Sequence, residues 1–189
     1  MPDTALLIID MQSALLADAH DAEGCLFRVA ALANRARSTG APVVYLRQRL
    51  DLTVPGLTAE LVDVHPTVAP QPGDAVLDKV SADSFLDTTL GDLLREQAVR
   101  RLVVTGFATE YCVDSTCRSA LSRGYDLVLV SDGHTTPERP VSAVPTAAQV
   151  IAHNNAIFST IQYAGRSILV TPAAKVGFEA RSVSLDGQP

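Results

Sequence analysis

The chain of 189 residues has only three cysteines, Cys25, Cys112 and Cys117, an odd number with no framework spacing. A disulfide scaffold is therefore excluded, and a reducing cytoplasm is the expected compartment. Basic residues are few. Fifteen Lys and Arg stand against 21 Asp and Glu, for a net charge of -6. Nucleic-acid backbones and anionic membranes reward clustered cations, so neither is an expected partner. The chain opens without a basic, apolar leader, and Asp3 and Asp10 interrupt its first ten residues, so no secretory signal is expected. Long apolar runs are missing too. The segment 140–165 carries no charge, but its Ser, Thr, Asn, Gln, His and Pro rule out a membrane span. The four histidines, His20, His65, His134 and His153, show no ligand spacing, so no metal site is expected.

What is present is alternation. Hydrophobic residues make up 47% of the chain, enough for a substantial core. Short apolar runs at 4–10, 42–48, 74–80, 100–106, 125–132 and 167–172 read as strands buried on both faces. Helical periodicity predicts helices over 21–38, 88–98, 110–123 and 146–161. Gly40 and Gly124 stand as stops, and Asp87 or Thr88 as the cap of the second helix. Residues 49–73 read as a long loop with one helical turn near 57–62. The predicted fold is α/β, a three-layer α-β-α domain over 1–178 with a six-stranded, mostly parallel sheet. A polar tail, 179–189, follows.

Open sheets of this kind bind ligands at the carboxyl ends of their strands, where strand order reverses. Strand one ends at Asp10, strand three at Lys79, and strand four runs into the turn that carries Cys112. Singly, each has a bland reading: a turn cap, a solvated strand end, an inert core thiol. Together at one edge they form a nucleophile, a base and a charge that steadies both. Cys112 is expected in the first turn of a helix, where the dipole and free N–H groups favour a thiolate and an oxyanion. A nucleotide-binding α/β protein is disfavoured, because "IIDMQSALLAD" (8–18) has no glycine cluster to cradle phosphate.

The stretches "LLIIDMQ" (6–12), "DKVSADSF" (78–85) and "VTGFATEYCVDSTCRSALSRGYDLVLVSDGHTT" (104–136) resemble the isochorismatase-like cysteine hydrolases. That superfamily includes nicotinamidases, N-carbamoylsarcosine amidases and ureidoacrylate amidohydrolases. The resemblance runs to about residue 172. It implies Asp10, Lys79 and Cys112 as catalytic residues. It also implies a cis Phe107–Ala108 peptide and an oxyanion hole of the Ala108 and Cys112 backbone N–H groups. Gly106 would give the chain freedom to enter that turn. A small-molecule substrate, no cofactor and a homodimer or larger homo-oligomer are further implications.

Departures from the relatives narrow the chemistry. The "YLRQRLDLTVPG" stretch (45–56) lacks the histidine that nicotinamidases use for metal, so nicotinamide is disfavoured. Cys112 favours amide-type C–N hydrolysis over vinyl-ether cleavage. Gln12, Arg47, Phe85, Tyr111 and His134 are candidate pocket residues. Arg47 equally suits a salt bridge at the sheet edge, Phe85 a core position, and His134 a hydrogen-bonded loop. Cys25, Cys117 and His65 read as structural.

Overall fold

The computed structural model describes residues 2–139, 141 and 143–179. The expected tail from 180 onward lies outside the described residues. The strands β1 (Thr4–Ile9), β2 (Val43–Gln48), β3 (Ala75–Lys79), β4 (Arg101–Phe107), β5 (Asp126–Thr135) and β6 (Ile168–Thr171) form one sheet. Its order is β3-β2-β1-β4-β5-β6, and every pairing is parallel. The helices are α1 (Ser13–Leu16), α2 (Ala22–Ser38), α3 (Ala59–Val62), α4 (Leu90–Glu96), α5 (Asp114–Ser122) and α6 (Ala147–Thr160).

Side-chain alternation along the strands splits the core in two. Leu6 and Ile8 of β1 join Leu26, Val29, Leu32, Ala33 and Ala36 of α2 on one face. Ala5, Leu7 and Ile9 join Leu90 and Leu94 of α4, Cys117 and Leu121 of α5 and Phe158 of α6 on the other. This is the period of two expected of a strand buried on both sides. All six residues of β1 are buried, which explains why its sequence shows no polar alternation.

Several boundaries differ from the sequence reading. The helix expected at 88–98 starts at Leu90, with Thr89 rather than Asp87 or Thr88 as its cap residue. Thr88 is occupied otherwise: its hydroxyl donates to the Ser84 carbonyl at 2.6 Å and accepts from the Leu90 N–H at 3.3 Å. Strand β5 outlasts the expected end at 132, because pairing with β4 resumes past an irregularity and sets Gly106 opposite His134. The loop 49–73 does hold a helical turn, α3, capped by the Thr58 hydroxyl, which accepts from the Leu61 N–H. Helix α6 starts in a capping box between Thr146 and Gln149. Gly124 follows α5 with φ +94°, as a C-terminal stop requires.

Strand order reverses between β1 and β4, the two central strands. There the backbones approach closely. Gly106 has φ +131°, and a Cβ at that position would lie 2.1 Å from the Ile9 carbonyl oxygen and 2.7 Å from its nitrogen. Only glycine fits such a backbone at such a distance. Gly106→Ala is expected to cost at least about 3 kcal/mol, since neither central strand can yield. Chemical denaturation measures this, and a midpoint unchanged from the parent would contradict it.

Candidate active site

The three residues picked from strand ends converge at this reversal. Asp10 follows β1 directly and turns the chain with φ +51°, a conformation that Asp tolerates better than most residues. Lys79 closes β3. Its ammonium sits 2.7 Å from Asp10 Oδ2. It also lies 2.9 Å from Gln48 Oε1, 3.1 Å from the Ser81 carbonyl and 3.3 Å from Cys112 Sγ. An ammonium has three protons to share among these four acceptors. Asp10 and Lys79 are almost fully buried, whereas Cys112 is half-buried. Asp10 Oδ1 has no hydrogen-bond partner among the described residues. A buried carboxylate oxygen left free beside a thiol is an acceptor in waiting.

Burial dominates the electrostatics. It raises the Asp10 pKa above the ordinary carboxylate value, while the charge and hydrogen bond of Lys79 pull the other way. Burial, and then the Asp10 charge, push the Cys112 thiol up to about 11, with Lys79 opposing. This corrects the expectation that a helix start around Cys112 favours the thiolate. The structural reason is twofold. Cys112 does not stand in the first turn of an α-helix: it lies in a π-helical turn, Thr109–Val113, and α5 begins only at Asp114. The Asp10 carboxylate beside it also disfavours a second negative charge. The resting proton therefore belongs on sulfur, with the Asp10 carboxylate beside it.

The peptide Phe107–Ala108 is cis. The Ala108 carbonyl accepts from the N–H groups of both Tyr111 and Val113, at 3.0 and 3.2 Å, and so closes the turn that carries Cys112. Such wide turns recur at functional sites.

The candidate pocket residues fare differently. Gln12 is buried and structural: its amide donates to the Gln48 and Val62 carbonyls at 2.9 and 2.6 Å and accepts from the Gln48 N–H at 2.8 Å. It thus holds the end of β2, not a ligand. Arg47 takes the salt-bridge alternative, with Asp78 at 2.7 Å and Asp63 at 2.9 Å. Phe85 takes the core alternative, stacked on Tyr125 at 5.8 Å. Tyr111 is 54% exposed, with the Arg139 guanidinium 5.5 Å above its ring and that residue ion-paired to Glu110 at 2.7 Å. His134 is buried and bonded to Thr109 and Asn155. His65 is structural, its ring accepting from the Thr67 N–H.

Gln48 was overlooked, yet it holds Lys79. The signal was available in the strand register. Arg47 pairs with Asp78 and Gln48 with Lys79, so period-two alternation sends Gln48, not Arg47, to the face of the lysine. Gln48 also borders a cavity of about 420 Å³ under the 49–63 loop, which Asp10, Lys79 and Cys112 do not line. Among the described residues, no group of His, Cys, Asp or Glu is arranged to hold a metal ion, and no helix is long and apolar enough to cross a membrane.

Residues 4–162 match the isochorismatase domain family. The chain belongs to the isochorismatase family. By that membership it is a hydrolase. It is 35% identical over 193 aligned positions to a streptothricin hydrolase of Streptomyces noursei, covering 95% of this chain and 72% of the relative. A ureidoacrylate amidohydrolase of Variovorax paradoxus is 29% identical, with 69% and 68% covered. Among solved structures, an isochorismatase from Pseudomonas putida superposes with a TM-score of 0.80 at 26% identity, over 91% of this chain and 89% of that one. The isochorismatase fold thus accounts for the sheet order.

Proposed function

We propose that this isochorismatase-family protein hydrolyses a small amide-type C–N bond through a thioester on Cys112. One observation carries the reading. A single buried ammonium touches both the Asp10 carboxylate and the Cys112 sulfur, while the second carboxylate oxygen stays free. The names of the streptothricin hydrolase and the ureidoacrylate amidohydrolase support the choice of bond.

In this scheme Asp10 takes the thiol proton as Cys112 Sγ attacks the carbonyl carbon. The backbone N–H groups of Ala108 and Cys112 hold the oxyanion. The tetrahedral adduct collapses, the C–N bond breaks, and Asp10 hands its proton to the leaving nitrogen. A water then gives its proton to Asp10 and attacks the thioester carbon. Collapse of this second adduct releases the acid, and the proton returns to sulfur. Lys79 keeps Asp10 ionised against the cost of its burial.

Ammonia release from a panel of primary amides, ureido acids and lactams tests the reading, with amine release followed where the leaving group is substituted. Turnover of one class is expected. Pyruvate release from isochorismate, with no C–N cleavage in the panel, would make the protein a vinyl-ether hydrolase instead.

The reactive pair carries one proton, on sulfur, with Asp10 ionised. On a responsive amide, kcat/KM should therefore rise with pH through the Asp10 pKa. That pKa lies above the ordinary value of about 3.9, because burial raises it. The rate should fall again as the thiol ionises near about 11, since no proton then remains for the leaving nitrogen. An acid limb at or below about pH 4 would contradict the buried carboxylate.

A further inference from the structure

The end of β5 grips the turn that carries Cys112. His134 lies opposite Gly106 in the sheet and is 2% exposed. One ring nitrogen, Nδ1, is 2.8 Å from the Thr109 hydroxyl; the other, Nε2, is 3.0 Å from Asn155 Oδ1. Thr109 is fully buried and directly follows Ala108. Just past the end of β5, the Thr136 hydroxyl donates to Glu110 Oε2 at 2.6 Å. Consecutive residues of the turn are thus tied to one strand end.

The direction of these bonds is set from outside the turn. The Ser131 carbonyl can only accept, so the Asn155 amide nitrogen donates to it, at 2.9 Å. That places Asn155 Oδ1 against His134 Nε2, which must then carry the ring proton. Nδ1 is left as an acceptor, and the Thr109 hydroxyl donates to it. Burial lowers the His134 pKa and so keeps the ring neutral, as this polarity requires.

We propose that His134 is a positioning residue. Through Thr109 it fixes the backbone of the turn, so that the Ala108 and Cys112 N–H groups converge on the developing oxyanion. This rests on the thioester reading above. It explains why a buried imidazole, and not an apolar side chain, stands at this place: a hydroxyl in the core needs an acceptor of defined direction. A misaimed oxyanion hole slows bond formation without weakening ground-state binding.

The test uses p-nitrophenyl acetate, whose leaving group needs no proton, so that acylation of Cys112 reads nucleophile and oxyanion hole alone. In that step Asp10 takes the thiol proton, the sulfur–acetyl bond forms, the ester C–O bond breaks, and p-nitrophenolate leaves. Single-turnover release is followed with protein in excess. Thr109→Val and His134→Gln are expected to slow acylation about tenfold or more, with half-saturation changed by less than about twofold. Thr109→Ser keeps the hydroxyl and should restore the rate to within about threefold of the parent. The Thr109→Val, His134→Gln double variant should be no slower than the slower single one, because both remove one bond. Parent-like acylation in folded Thr109→Val, or a Thr109→Ser as slow as Thr109→Val, overturns the proposal. Should the first two variants not fold, Asn155→Ala releases the ring from its tautomer and should still slow acylation about threefold or more; a parent-like rate there overturns it equally. Release by Cys112→Ala at the parental rate defeats the thioester reading itself, whatever the Thr109 variants do.

Discussion

Cys112→Ala is expected to lower turnover by about 10⁴-fold or more on any amide that the parent protein hydrolyses. The size of the loss follows from the geometry. With Ala, Lys79 and Asp10 remain paired, but no atom stands where the thioester must form. The residual rate is that of binding and oxyanion stabilisation alone. Cys112→Ser should be nearly as poor, because the hydroxyl holds its proton far more tightly than a thiol and Asp10 is a weak base for it. The fold should survive both changes, since Cys112 is only half-buried. Labelling with iodoacetamide checks the same assignment without a substrate. Cys25 is 1% exposed and Cys117 fully buried, and burial pushes both thiols up, Cys25 to about 12. Cys112 should therefore be alkylated first. A Cys112→Ala protein with full turnover, or a label found only on Cys25 or Cys117, would end the thioester reading.

Lys79→Ala should damage both stability and rate, and the two losses have one cause. The lysine side chain is fully buried against a carboxylate 2% exposed. Removing it leaves that carboxylate uncompensated, at a cost of about 3–5 kcal/mol while it stays ionised. The loss has a pH signature. Without Lys79 the Asp10 pKa rises further, because the charge and hydrogen bond that lowered it are gone. A carboxyl whose folded pKa exceeds its unfolded one favours folding when protonated and disfavours it as pH rises through the folded pKa. The variant should thus be closest to the parent in mild acid and lose stability progressively toward neutral and alkaline pH. Turnover falls because protonated Asp10 is no base. The Asp10→Asn, Lys79→Met pair, which removes both charges, should regain much of the stability and none of the turnover. Equal denaturation midpoints for Lys79→Ala and the parent at pH 8 would show that Asp10 needs no counter-charge.

How much of this was legible in the sequence depends on whether the cause is local. Periodicity is local. The stripe Leu26, Val29, Leu32, Ala33, Ala36 predicted α2, and those residues pack on the sheet as a stripe must. The apolar runs predicted the strands for the same reason. Boundaries were less legible where a side chain had a rival partner, as Thr88 did in Ser84. The later end of β5 rests on pairing with β4, and α1 forms in a turn with no periodicity to announce it. The expected preference for a thiolate failed through burial, a property of the packed state and not of the residues flanking Cys112.

Strand ends at Asp10 and Lys79, a glycine at 106 and a cysteine after β4 are written in the order of the residues, because strand period and chain polarity place each at the carboxyl edge of a parallel sheet. Tertiary structure alone decided which neighbours each would meet. The order β3-β2-β1-β4 brings Lys79 across β2 to Asp10, and the register of β2 against β3 gives the lysine Gln48 while Arg47 goes to Asp78. Pairing of Gly106 with His134 sets an imidazole under the turn that carries Cys112. Contacts between residues distant in sequence depend on which strands lie side by side, in what register, and with how much water excluded, and no spacing along the chain encodes those by itself.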